Sequence, residues 1–197
     1  MAAGFAPIKL NCVVQRGLRK SDHLRPDADA ALAELKALGI EPEILSGDNV
    51  AAVAEVARQT GLTGQGCASP ADKQAAIARL QAAGHKVLMA GDGLNDGPAL
   101  SAANASIAPG TASDVGRQAA DLVFMGDSLS AIPRAVRGAR RTMAVVRQNF
   151  GLAIGYNLLA VPLAMAGYVT PLIAAVAMST SSLIVIANSL RLVRAAR

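Results

Sequence analysis

The stretch "KVLMAGDGLND", residues 86–96, decides the fold. Its first half, preceded by His85, is a short apolar run that reads as a buried strand. A run of that kind, apolar on both faces, suits the interior of a parallel sheet. Its second half crowds Asp92 and Asp96 around Gly91, Gly93 and Asn95. Glycines at 91 and 93 permit close backbone approach and unusual backbone angles. Two carboxylates within five residues repel each other unless something neutralises them. A Mg²⁺ ion is a natural partner, being hard, oxygen-seeking and often shared with a phosphate. The loop alone also has a plainer reading, in which Asp and Asn cap the following helix; Asp96 before "GPAL" is placed to do that.

Outward from this stretch, strands and helices alternate. Residues 27–38 carry Leu32, Leu35 and Leu38 at helical spacing, and Gly39 supplies the stop. "EPEILSGD" reads as a short strand ending in a loop. Residues 49–60 are helical, closed by Gly61. "SPADKQAAIARLQAAG" is a helix with Ser69 or Asp72 at its start and Gly84 at its end. After residue 96 come a short helix "PALSAA", a strand "ASIA", a helix "ASDVGRQAA" and a last strand "DLVFM". Such alternation predicts an α/β fold with a parallel, Rossmann-type sheet. Ligands of such sheets sit beyond the carboxyl ends of the strands. "SGD" (Ser46, Gly47, Asp48) and "GDGLND" both fall at such ends. Ser46 and Gly47 can donate hydrogen bonds, and Lys73 can supply positive charge, to a phosphoryl group in transfer. By itself Lys73 reads as a solvated lysine near a helix start.

Composition divides the chain in two. Hydrophobic residues make up 52% and charged residues 17% of the 197, against about 25% charged in ordinary soluble domains. Residues 1–149 read as soluble; residues 150–190 contain no charged side chain. The net charge is +5, with basic clusters on both sides of that block. We read them as membrane-topology signals. Aromatics are 3% with no Trp, which leaves little for stacking on bases, so no nucleic-acid partner is expected. Cys12 and Cys67 form no CxxC and read as free thiols in a reducing cytosol. The N-terminus does not resemble a signal peptide.

A basic helix over 129–148 leads to two apolar segments, 150–165 and 172–190, joined by a turn with Gly167 and Pro171. The second has about the 20 residues needed to cross a bilayer, and the first reaches that length if it extends into the turn. Arginines flank both outer ends and none lies in the turn. An integral membrane protein of the cell or inner membrane, with both termini cytoplasmic, is expected. Polar side chains inside the spans are functional candidates. They are Tyr156 and Asn157 in the first, and Met178, Ser179, Thr180, Ser181 and Ser182 in the second, where Met178 and Ser182, four apart, share one face. A thioether suits Cu(I). Read singly, these residues are better explained by helix packing. Pro162 would kink its helix and free backbone carbonyls.

"LRPDADAALAELKALGIEPEILSGDN", "SPADK" and "GDGLNDGPALSAANASIA" together resemble the phosphorylation domain of P-type ATPases, in the haloacid-dehalogenase-like superfamily. "GYNLLAVPLAM" and "AMSTSSLIVIANSLRL" resemble the last two membrane helices of the heavy-metal branch, its copper(I) pumps in particular. The resemblance covers residues 22–192. It implies that Asp92 binds Mg²⁺, that Asn95 and Asp96 help position metal and phosphoryl group, and that Ser46, Gly47 and Asp48 contact the phosphoryl group. Ser46 stands where many relatives have Thr. The resemblance further implies that Lys73 stabilises the phosphoryl charge, and that Gly91 and Gly93 shape the loop. Tyr156, Asn157, Met178 and Ser182 become the expected Cu⁺ ligands. ATP is the implied cofactor of an intact pump, and the remaining pump segments or a copper chaperone are the implied partners.

The implied organisation is an unmatched segment over 1–21, a partial phosphorylation domain over 22–127, a basic stalk helix over 128–149, a transmembrane hairpin over 150–192 and a tail. The family's "DKTGT" phosphoryl acceptor, "TGE" loop and "CPC" membrane motif are not in this sequence. Asp27-Ala28-Asp29 has the DxD spacing of soluble phosphatases, but follows "LRP" and reads as a helix start. The sheet is therefore expected to lack the strand bearing the acceptor and to expose an apolar edge. Two alternatives to a pump part stand open: a non-catalytic membrane protein that keeps the fold, and a membrane-anchored phosphatase.

Overall fold

A computed structural model describes residues 8–12, 25–91, 94–126 and 128–195, with residues 8–12, Leu94 and 193–195 described by backbone alone. The described residues fall into two compact units, Met1–Pro133 and Arg134–Arg197.

The first unit is built on six strands: β1 (Ile8–Cys12), β2 (Ile40–Leu45), β3 (Thr63–Gln65), β4 (Lys86–Ala90), β5 (Ala105–Pro109) and β6 (Leu122–Phe124). Every pairing is parallel, in the spatial order β3-β2-β1-β4-β5-β6. The alternation thus yields the expected parallel sheet. Val87, Leu88, Met89 and Ala90 of β4 are all buried, as an interior strand covered on both faces must be. The edge strand β3 is exposed throughout.

Helices α1 (Ala28–Ala37), α2 (Val50–Thr60), α3 (Pro70–Ala82), α4 (Gly97–Ala102) and α5 (Asp114–Ala119) connect the strands. Asn49 caps α2 through its side chain, and Gly61 closes it at φ 65°. Ser69 and Asp72 form a reciprocal capping box at the start of α3, so both residues proposed for that start take part. Ile77 of α3 and Leu100 of α4 close over Val87 and Met89, and Val53 and Val56 of α2 close over Ile44. Each fully buried side chain of this size contributes roughly 1.5–3 kcal/mol.

One expectation is corrected here. β1 does not leave a gap: it lies in the middle of the sheet, Ile8 to Cys12 in register with Ile40 to Ile44 on one side and with Lys86 to Ala90 on the other. The expected exposed edge is therefore filled by a segment that the sequence sets apart as a junction. The backbone N–H and C=O groups of "IKLNC" complete the pairing on both sides. β3 was not anticipated at all; "TGQ" is three residues with one β-branched side chain, too short for a periodic signal.

The second unit contains most of α6 (Ala131–Met165) and all of α7 (Pro171–Ala195). α6 runs unbroken for 35 residues, so the basic stretch and the first apolar segment are one helix about 52 Å long. It does not extend into the turn. Tyr168 N–H donates to Leu163 O and Gly167 N–H to Ala164 O, with Gly167 at φ 79°; this pattern seals a helix end. Residues 150–165 alone cover about 24 Å of helix, short of the roughly 30 Å hydrocarbon core. Among the described residues one helix, over Pro171–Leu192, is long and apolar enough to cross a membrane. The helix continues through Pro162.

Candidate functional site

The strand order reverses direction between β1 and β4, since β2 and β3 lie to one side of β1 and β4, β5 and β6 to the other. Loops leaving two such strands turn apart and open a crevice at their carboxyl ends. The loop after β4 begins with Gly91, and the loop after β2 is residues 46–49.

At this rim the buried ion pair is the dominant feature. Lys73 Nζ donates to Asp96 Oδ1 at 2.7 Å, and the side chains are 5% and 3% exposed. Lys73 is thus no solvated helix-start lysine. The Ser69–Asp72 box fixes the first turn of α3 and so aims Lys73 inward one residue later. The Asp72 carboxyl lies below its ordinary pKa because the Ser69 hydroxyl, then the Ser69 N–H, donate to it. Asp96 stands at the N-cap of α4 but makes no side-chain cap bond; its carboxylate goes to Lys73 instead. Gly91 permits this. A Cβ there would lie 3.1 Å from Asp96 Cβ and 3.2 Å from its Oδ2.

The neighbouring loop is equally ordered by its own hydrogen bonds. Ser46 is 1% exposed. Its Oγ donates to Asp48 Oδ2 at 2.7 Å and accepts from Asp48 N–H at 3.2 Å. The loop is tied to the segment leading into α3: Ala68 N–H donates to Ser46 O at 2.9 Å and Cys67 N–H to Asp48 O at 2.6 Å. Gly66 is needed for this closure, because a Cβ there would meet Val50 Cα at 2.9 Å and Asp48 O at 3.0 Å. Sequence reasoning missed Gly66. Nothing in "TGQGCAS" marks it, since the constraint comes from the start of α2 rather than from its own turn.

Ser46, Gly47 and Asp48 therefore sit at one strand end, Lys73, Gly91 and Asp96 at another, and hydrogen bonds through residues 67–73 link the two loops. Asn95 is exposed. Asp92 and Gly93 lie outside the described residues. Among the described residues no three His, Cys, Asp or Glu side chains form a metal-binding group.

In the second unit, Asn149 Nδ2 donates to Ser189 Oγ at 3.0 Å, and Asn188 Nδ2 donates to Asn149 Oδ1 at 2.9 Å. These bonds set the antiparallel register of α6 and α7. Tyr156 is half-buried and lines a groove with Ile184 and Asn188. Asn157, Met178 and Ser182 are exposed, Met178 at 69%. The Ser182 hydroxyl donates to Met178 O within its own helix. Of the four residues expected to bind copper, the structure brings only Tyr156 to the face between the two helices.

Comparison with known proteins agrees with the fold. The haloacid dehalogenase-like hydrolase family matches residues 5–104, and the chain belongs to that family. The match begins inside the first twenty residues, which the family resemblance left unmatched but whose "IKLNCVVQRG" reads as a strand. The nitrogen fixation protein FixI of Rhizobium leguminosarum bv. viciae is 56% identical over 172 residues, 87% of this chain and 23% of that protein. The "Probable copper-exporting P-type ATPase V" of Mycobacterium tuberculosis is 40% identical over 181 residues, 91% of this chain and 24% of that protein. A zinc-transporting PIB-type ATPase in the E2.Pi state superposes with a TM-score of 0.84 at 36% identity, over 89% of this chain and 28% of that one. The chain thus spans about a quarter of the length of the curated relatives it matches. Its relatives include cation-transporting P-type ATPases.

Proposed function

We infer that this chain is part of an ATP-driven export pump for a soft metal cation, Cu(I) first. It would contribute phosphoryl-handling loops and one side of the metal path. The buried Lys73–Asp96 pair at the carboxyl end of β4 carries this reading. Burying two charges is costly, and the pair stands where a parallel sheet binds its ligand. Lys73 would balance the charge of a phosphoryl group, and Ser46 and the Gly47 N–H would donate to it.

The rim presents carboxylate and hydroxyl oxygens, a donor set that fits Mg²⁺ beside a phosphate. Asp92 and Asp96 would hold it, with Asp48 close to the phosphoryl group. When bound, the ion neutralises charge on the transferring group. Tyr156, Asn157, Met178 and Ser182 would contribute to the metal path, three of them from faces directed away from the α6–α7 contact. Membrane integration with both termini cytoplasmic belongs to the same reading, as do the remaining pump segments and a copper chaperone as partners.

Metal binding by the purified chain in detergent tests this. Cu(I) should bind in preference to Zn²⁺, and Met178→Ala should weaken Cu(I) about tenfold or more, because a soft thioether is lost. Equal binding of both metals, unchanged by Met178→Ala, would rule out the copper reading. One observation favours a second reading, a non-catalytic membrane protein that keeps the fold: the central strand β1 is "IKLNC" and contains no carboxylate. ATP turnover separates the two and is taken up in the Discussion.

A further inference from the structure

We propose that the free edge of β6 is a docking site for an extended, apolar strand from another segment of a pump-length polypeptide, which adds a seventh strand to the sheet. The proposal rests on the pump reading above and names the place where one of the remaining segments joins this chain.

β6 closes one side of the sheet, and among the described residues no strand lies beyond it. Its backbone is only half used. Phe124 O accepts from Gly110 N–H, just past β5, at 2.7 Å. The N–H and C=O of one strand residue point to the same side, and successive residues alternate. Val123 therefore presents its N–H and C=O to the open side, where a further strand can pair with them.

The side chains of β6 suit an interior strand better than an edge. Sheet edges are ordinarily protected by charge, by proline or by being very short. Both edges here are short, but they differ in their side chains. β3 is Thr63-Gly64-Gln65, polar enough to stand in water. β6 is Leu122-Val123-Phe124, followed by Met125. In register, Leu122 lies beside Ile107 and Val123 beside Ala108. The two β5 residues are 2% and 0% exposed, whereas Leu122 is 52%, Val123 44% and Met125 87% exposed. Burial falls away within one strand while hydrophobicity does not. Leu122 and Phe124 belong to one face of the sheet, Val123 and Met125 to the other. The exposed apolar surface thus wraps the edge, a form that fits a strand laid alongside better than a helix packed on top.

Two observations choose the occupant. The chain spans about a quarter of the length of the curated relatives it matches, so in a polypeptide of that length most of the chain is at hand to supply a strand. A second copy is the poorer fit. Three residues meeting three residues bury far less than the roughly 1,200–2,000 Å² of a stable interface. A segment held nearby by the rest of the same assembly needs no such area, because its effective concentration is already high.

The test co-expresses the full chain with the part of Rhizobium leguminosarum FixI outside the matched 172 residues, as a second polypeptide, and follows association and hydrogen exchange in detergent. The two should co-purify, and the Val123 amide should exchange at least about tenfold more slowly in the complex than in the chain alone. Val123→Lys should weaken association about tenfold by placing a charge where the strand must lie. In that variant the buried Ile107 amide should keep its rate, as the sign that the sheet still folds. Gln65→Lys, on the opposite edge, should leave association unchanged. No association, a Val123 amide as fast in the complex as in the chain alone, indifference to Val123→Lys, or equal sensitivity to Gln65→Lys would each overturn the docking edge. So would a dimer of the chain alone that Val123→Lys dissociates, which would assign the edge to a second copy. Cu(I) binding by the chain tests the underlying reading separately. Its absence sinks the copper reading whether or not a strand is captured, whereas Cu(I) binding without capture sinks only the docking edge.

Discussion

Lys73 is the residue whose local sequence says least about its environment. A lysine four positions into a helix is ordinarily solvated; here it is 4% exposed and faces Asp96. Removing one member of a buried pair strands the other charge, at a cost of about 3–5 kcal/mol. Lys73→Met and Asp96→Asn should each destabilise the sheet unit by that order. The double variant should recover a good part, because no charge is left unpaired. Hydrogen exchange at the Ile77 and Val87 amides of the full chain reports this unit. Strictly additive losses in the double variant would show that the two groups are not coupled. Gly91 belongs to the same argument, as the missing side chain that lets Asp96 tuck beneath the strand end.

Among the elements, the start of α6 is held from an unexpected direction. Asp27 is the N-cap of α1 yet makes no cap bond there. Its Oδ2 instead accepts from Ser128 Oγ at 2.7 Å, Ser130 N–H at 3.1 Å and Ser130 Oγ at 3.3 Å. The helix-start reading of Asp27-Ala28-Asp29 is thus right for the backbone, while the carboxylate secures the residues just before α6. The Ser128 hydroxyl is the first cause of a carboxyl pKa held below 3.8. A depressed folded-state value means that the stabilisation is complete above the unfolded value and is lost as pH falls through the folded one. Hydrogen exchange at Ile132 should therefore accelerate as pH drops below 3.8, after correction for the intrinsic rate. Asp27→Asn should remove that pH dependence while keeping an acceptor oxygen, and Asp27→Ala should cost about 0.5–2 kcal/mol, the range for losing a helix-end acceptor. An unchanged Ile132 amide in Asp27→Ala would refute the tie.

For the whole molecule, a phosphoryl-transfer site needs a group to receive the phosphate. The acceptor motif of the resembled family is not in this sequence, and the strand at the centre of the sheet has no carboxylate. The purified chain should show no vanadate-sensitive ATP hydrolysis. Turnover abolished by Asp92→Ala would contradict this and place an acceptor within the 197 residues. A phosphatase activity on small phosphate esters with the same Asp92→Ala control would point to the third reading instead.

α2, α3, β4 and the glycine closures could be read from sequence because each is a local event: a cap, a period or a stop within a dozen residues. The apolar block over 150–190 was legible for the same reason, since hydrophobicity adds up along the chain. Tertiary structure alone decided that β1 fills the centre of the sheet, that Gly66 must be glycine and that Lys73 is buried. It alone decided that Tyr156 of α6 meets α7 while Met178 of α7 is left exposed. Those outcomes depend on which surfaces meet across tens of residues, and contact energies between distant segments leave no periodic mark in the sequence of either.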